Sequence, residues 1–194
     1  MIDPAPDPVP ACWSVLVLGG ARSGKSEYAE ALAADYATRL GESDTRTVVY
    51  VATGAAPGGG DPDWDARVDD HRRRRPAAWQ TVEVPPGGDL AGMLAQVNGV
   101  ALVDSLGTWV AGGDPSAAQV QALCDAIALR SGQALPTLVV SEEVGLGVHA
   151  PTESGRRFAD ALGAINQAVA RVAERAVLVV AGRILELAVP GRAE

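Results

Sequence analysis

The run 19-GGARSGKS-26 contains Lys25, the only lysine of a chain in which fifteen of the sixteen basic residues are arginine. It follows the apolar stretch 15-VLVL-18 and precedes a segment of helical period. Glycine, four residues, then Gly-Lys-Ser is the spacing at which a strand-to-helix turn wraps a phosphate. Backbone N–H groups from Gly20 through Ala21, Arg22, Ser23 and Gly24 to Ser26 can converge on the anion, where the helix dipole favours negative charge. The glycines keep Cβ atoms clear of the oxygens. Lys25 offers a compact charge to the β- and γ-phosphates, where an arginine fork would not fit, and the Ser26 hydroxyl is placed to ligate Mg2+. Such a site takes a carboxylate from the end of a neighbouring strand. Asp104 closes the apolar run 100-VALVD-104 and is the candidate second Mg2+ ligand, with an N-capping aspartate as the alternative reading that the phosphate loop disfavours.

A second constellation lies in 68-VDDHRRRRPAAW-79, where His71 precedes Arg72, Arg73, Arg74 and Arg75 in a chain of formal charge −8. Asp61 or Asp63 can cap a helix here, and Pro76 disfavours helix at Arg75. On that helix Trp64, Val68, His71 and Arg75 share a stripe, with Arg67 and Arg74 a turn to either side of His71. Guanidinium neighbours penalise an imidazolium and leave a neutral ring that can attack phosphorus while the arginines hold the nucleotide's charge. Residue types alone leave a plainer reading open, a solvated basic helix end balanced in part by Asp69 and Asp70. A nucleic-acid patch would need interleaved aromatics, and the acidic chain opposes binding through phosphate neutralisation.

These residues need a layered frame. The chain has 194 residues, 47% hydrophobic and 4% aromatic, enough for one α/β domain over 14–194 behind a Pro- and Asp-rich disordered tail over 1–13. The tail lacks the basic and apolar regions of a signal peptide, no apolar run reaches the length of a membrane span, and two cysteines make no disulfide framework. A cytoplasmic protein is the expectation. Strands are expected over 14–18, 47–53, 80–84, 100–104, 137–141, 176–181 and 184–189, the last two joined through Gly182 and Arg183 as an antiparallel edge hairpin. Helices fill 26–40, with Gly41 beyond its end, 116–130 and about 152–174. The loops 54–60 and 145–151 are the candidate functional loops.

Read in order, GGARSGKS (19–26), YVAT (50–53), HRRRRP (71–76), W-x-T-V-E (79–83), LVDSLGTW (102–109), SEEVGLGV (141–148), SGRRFADALGAIN (154–166) and LVVAGRILEL (178–187) give a chain that resembles the bifunctional adenosylcobinamide kinase / adenosylcobinamide-phosphate guanylyltransferases of cobalamin biosynthesis. The resemblance covers nearly everything after the tail. It implies a P-loop NTPase (RecA-like) fold: a mostly parallel sheet, helices on both faces, an antiparallel hairpin at one edge. It also implies phosphorylation of adenosylcobinamide, then transfer of GMP from GTP to adenosylcobinamide phosphate through a guanylylated histidine, which His71 matches. Gly19, Gly20, Ala21, Arg22, Ser23, Gly24, Lys25, Ser26, Ala52, Thr53, Gly54, Arg72, Arg73, Arg74, Arg75, Glu83 and Asp104 match segments that contact the nucleotide, with ATP or GTP as phosphoryl donor. A homo-oligomer, a trimer, is implied as well. The family's T-N-E or S-N-E before V-G reads S-E-E here, so Glu142 stands in place of an asparagine. Glu143 reads as a base, a metal ligand or a cap, and His149 as a loop histidine without partners at ligand spacing. The competing readings are a small-molecule P-loop kinase without the transferase step, which has no use for His71, and a non-catalytic nucleotide switch or nucleic-acid-stimulated ATPase.

Overall fold

The computed structural model describes residues 12–40, 48–56, 58–148 and 150–189. Seven strands form one sheet in the order β3-β2-β4-β5-β1-β6-β7: β1 Ser14–Gly19, β2 Val48–Ala52, β3 Gln80–Glu83, β4 Val100–Asp104, β5 Thr137–Glu142, β6 Arg175–Val180 and β7 Arg183–Glu186. All pairings are parallel except that of β6 with β7. The chain is thus α/β with an antiparallel edge, as the hydrophobic patterning implies.

The strands are apolar on both faces because helices cover both. Val15, Val17, Tyr50, Leu102 and Val140 pack with Ala29, Leu32, Ala33 and Tyr36 of α1 (Lys25–Leu40). The alternate residues Leu16, Leu18, Val51, Val103 and Val139 face α3 (Leu90–Gln96), α4 (Leu106–Ala111), α5 (Ala117–Gly132) and α6 (Glu153–Val172). Period-two alternation therefore splits one apolar sheet into two cores. The remaining helix, α2 (Pro62–Arg74), contributes no side chain to either core and lies over the C-terminal ends of the strands.

Where expectation and structure differ, the reasons are local. The hairpin turn is Ala181–Gly182, one residue earlier than expected, with φ of 50° and 74°. Both positive angles suit the right-handed twist of a two-residue hairpin, so Ala181 takes a conformation that favours glycine. Strand β7 then ends at Glu186, not 189, and Leu187 adds one backbone bond to Ala176. Thr53 lies beyond β2, because its side chain turns inward to the Ser105 carbonyl at 2.5 Å and to Thr108 Oγ1 at 2.8 Å. Helices α3 and α4 have seven and six residues, too short to show a period, and Asp89 and Ser105 cap them. Of the expected tail, Cys12 and Trp13 bind the body: Trp13 accepts from the Thr137 N–H at 2.7 Å, and the Cys12 carbonyl accepts from the Tyr36 hydroxyl. Residues 1–11, Gly41, Thr47 and His149 lie outside the described residues.

Candidate functional site

The strand register brings the chemistry together. Glu83 pairs with Ala52, Ala52 with Asp104 and Glu142 with Gly19, so five strand ends open on one side of the sheet. The C-terminal edge of such a sheet is where ligands bind.

Between β1 and α1, residues 20–24 form the loop that the sequence marks as a candidate phosphate cradle. Gly24 sits at φ 94°, a conformation closed to most side chains, and Arg22 at φ 56°. The Gly182 N–H donates to the Ser23 carbonyl at 2.8 Å, so the β6–β7 turn braces the loop. Ser23 Oγ is buried with no hydrogen-bond partner among the described residues. Lys25 folds back over the loop, Nζ 3.4 Å from the Gly20 carbonyl and 3.4 Å from Glu142 Oε1. The Glu142 carboxylate also accepts from Ser105 Oγ at 2.9 and 3.0 Å and from the Gly107 N–H at 3.0 Å. The residue that departs from the family pattern is therefore the counter-ion of the only lysine. Glu143 turns away and accepts from the Gly145 N–H at 2.6 Å, a capping contact.

Asp104 ends β4 with its side chain 9% exposed. Its Oδ2 accepts from the Tyr50 hydroxyl at 2.7 Å and stands 3.5 Å from His71 Nδ1. Burial alone would raise its pKa; hydrogen bonds from His71, Tyr50 and Ser26 outweigh that and hold the carboxyl below the ordinary range. Burial first, and Asp104 second, push the Tyr50 phenol far up, so Tyr50 stays a donor.

Helix α2 carries His71 to this spot. Asp61 is its N-cap, accepting from the backbone of Asp63 and Trp64, and Pro62 follows at the helix start. The helix stops at Arg74 because Arg75, ahead of Pro76, is extended at ψ 138°. His71 does not sit among guanidiniums alone. Besides Arg74 Nη2 at 3.4 Å, Nδ1 faces Tyr50 Oη at 3.4 Å, Asp104 at 3.5 Å and Glu30 at 4.0 Å. The arginines hold the helix down rather than forming a loose basic patch. Arg72 bonds Glu83 at 3.3 Å and Arg74 bonds Glu30 at 3.2 Å, while Arg75 stacks 3.7 Å above the Tyr50 ring and donates to Thr81 at 3.0 Å. Arg73 pairs with Asp70 on the outer side. Among residue types alone the solvated helix end was open; three of the four arginines instead reach across to other elements.

The cleft between loop and helix measures about 900 Å³. Ala21, Arg22, Ser23, Gly24, Lys25 and Ser26 line it with Ala52, Gly54, His71, Arg72, Arg74, Arg75, Glu83 and Asp104. Gly19, Gly20, Thr53 and Arg73 do not. Gly54 must be small: a Cβ there would come within 2.5 Å of the Trp64 ring, whose Nε1 donates to the Ala55 carbonyl at 3.0 Å. Sequence reasoning missed Glu30 and Tyr50. Glu30 stands one helical turn after Ser26, a spacing that could have placed it on the site's face; Tyr50 looks like any inward strand residue.

Among the described residues no helix is long and apolar enough to cross a membrane, and no group of three or more His, Cys, Asp or Glu side chains could hold a metal ion by themselves. The family model for cobinamide kinase / cobinamide phosphate guanyltransferase matches residues 15–187. The chain is 38% identical over 176 residues to the bifunctional adenosylcobalamin biosynthesis protein CobP of Pseudomonas aeruginosa, covering 86% of this chain and 92% of that one. It is 35% identical over 185 residues to the bifunctional adenosylcobalamin biosynthesis protein CobU of Escherichia coli and 34% over 186 residues to that of Salmonella typhimurium, each covering 87% of this chain and 96% of the relative.

Proposed function

The chain belongs to the cobinamide kinase / cobinamide phosphate guanyltransferase family, and from that membership we propose that one cleft serves both of its reactions, with His71 carrying GMP between them. The enzyme phosphorylates adenosylcobinamide and transfers GMP from GTP to adenosylcobinamide phosphate, giving adenosylcobinamide-GDP. The observation that carries the histidine's part is its position: His71 lines the same cleft as Lys25 and Ser26 and stands 3.5 Å from Asp104.

In this reading the loop from Gly20 to Ser26 binds the nucleotide phosphates through backbone N–H groups, and Lys25 leaves Glu142 for the terminal phosphates. Arg72 and Arg75 stand beside His71 to take the charge that builds on the phosphorus under attack. The Ser26 hydroxyl and Asp104 carboxylate, which both line the cleft, are the oxygen donors that a small divalent cation prefers. They would hold Mg2+ together with the nucleotide, and Mg2+ would neutralise phosphate charge there. ATP or GTP serves as phosphoryl donor. The protein works in the cytoplasm as a homo-oligomer, a trimer on the resemblance; exposed Val180, Ile184 and Leu185 on the edge hairpin support an interface there.

The test is mass spectrometry after incubation with GTP. The wild-type protein should gain one GMP through an acid-labile, alkali-stable bond, and His71→Asn should gain none while still binding GTP. Uptake of GMP by His71→Asn with the same lability would assign the nucleophile to another residue.

A further inference from the structure

Two ring nitrogens could attack phosphorus, and the contacts of His71 distinguish them. Every polar contact of the ring among the described residues is made at Nδ1: Tyr50 Oη and Arg74 Nη2 at 3.4 Å, Asp104 Oδ2 at 3.5 Å and Glu30 Oε1 at 4.0 Å. The Tyr50 proton is already given to Asp104 at 2.7 Å, which leaves the phenol oxygen able to accept. Arg74 Nη2 is shared with Glu30, to which it donates at 3.4 Å. Nδ1 thus meets three acceptors and one donor that is itself engaged. The favoured tautomer carries the proton on Nδ1 and the free electron pair on Nε2.

We infer that His71 attacks through Nε2, and that Tyr50, with Asp104, is a positioning residue that keeps the proton on Nδ1 and the ring turned to the cleft. The inference rests on the reading that His71 carries GMP. In the step, the Nε2 pair forms a bond to the α-phosphorus, the bond from that phosphorus to the bridging oxygen breaks, and pyrophosphate leaves with the electron pair. The proton stays on Nδ1, so the ring becomes cationic beside Asp104 and Glu30, two carboxylates that offset the new charge. When the phosphate of adenosylcobinamide phosphate attacks, the Nε2–phosphorus bond breaks and the ring returns to neutral with its proton where it began.

The test is proton–phosphorus correlation NMR on the guanylylated peptide released by digestion at alkaline pH. A phosphorus on Nε2 lies three bonds from both ring protons, Hδ2 and Hε1, whereas one on Nδ1 lies three bonds from Hε1 alone. Correlation to both protons is expected. Correlation to Hε1 alone overturns the inference and leaves His71 as the carrier. GMP found on another residue removes the carrier reading itself. In parallel, Tyr50→Phe should slow guanylylation roughly 10- to 100-fold, the usual loss when a partner that orients an imidazole is removed, with the Kd for GTP unchanged. A parallel loss of GTP affinity would make Tyr50 a packing residue and overturn its positioning role.

Discussion

Replacing Glu142 by glutamine should tighten nucleotide binding, although it removes an ion pair from the site. Lys25 Nζ is 3.4 Å from the Glu142 carboxylate, and the two side chains are only 11% and 29% exposed. Opposite charges at about 4 Å near a protein surface attract by ~4 kcal/mol. A nucleotide phosphate competes for the same ammonium and must also approach the carboxylate. Lys25 retains part of the attraction when it turns to phosphate, and solvent screens part of the rest, so the net gain should be about 1–2 kcal/mol, or roughly 5- to 30-fold in Kd. Isothermal titration with GTP in EDTA isolates this effect from the cation. Free Glu142→Gln protein should also melt lower than wild type, because Lys25 loses its counter-ion, and should gain more in Tm on adding GTP. Gly107→Ala reaches the carboxylate from the other side, since a Cβ at 107 would overlap Glu142 Oε2; it should shift Kd in the same direction. An equal or weaker Kd for GTP in Glu142→Gln would refute the claim that the carboxylate restrains Lys25.

Lys25→Ala should abolish both kinase turnover and GMP uptake, because no other lysine exists to replace it; near-normal turnover would dismiss the phosphate-loop assignment. Arg130→Leu should cost about 3–5 kcal/mol in urea unfolding with no change in the Kd for GTP. Arg130 is 2% exposed, burial lowers its pKa to about 10, and it donates to Thr137 Oγ1 and to the carbonyls of Leu94, Val97, Gly99 and Pro136; leucine would take this donor from all five, of which Leu94 and Pro136 keep the backbone N–H groups of Val97 and Ala101. A loss below about 1 kcal/mol would mean that water takes over these carbonyls.

What the sequence reveals about this site follows the distance over which each function is built. The phosphate loop is legible because its donors, its lysine and its helix lie within eight consecutive residues, and Asp104 because a strand ends where its hydrophobic run ends. The arginines at 72–75 are ambiguous in the sequence for a physical reason. An arginine on a helix end looks the same whether it faces water or reaches another element, and only the fold brings Glu83, Glu30 and Tyr50 to Arg72, Arg74 and Arg75. Tyr50 reads as a core residue, and it is one, with 3% exposure; its hydroxyl alone emerges at the level of Asp104 because Ala52 pairs with Asp104 two residues on. Glu142 stood out as a departure from the family pattern, yet its partner lies 117 positions earlier in the chain. Their meeting depends on β5 lying beside β1 in a register that sets Glu142 opposite Gly19. That register also accounts for the division of labour among the carboxylates. Glu142 ends the strand next to the phosphate loop and meets the lysine, whereas Asp104 ends the strand between β5 and β2 and meets the histidine that α2 delivers from above β2. A sheet with β4 and β5 exchanged would set Asp104 beside Lys25 and leave His71 facing Glu142. The strand order therefore assigns each carboxylate its partner, and no single segment of sequence encodes it.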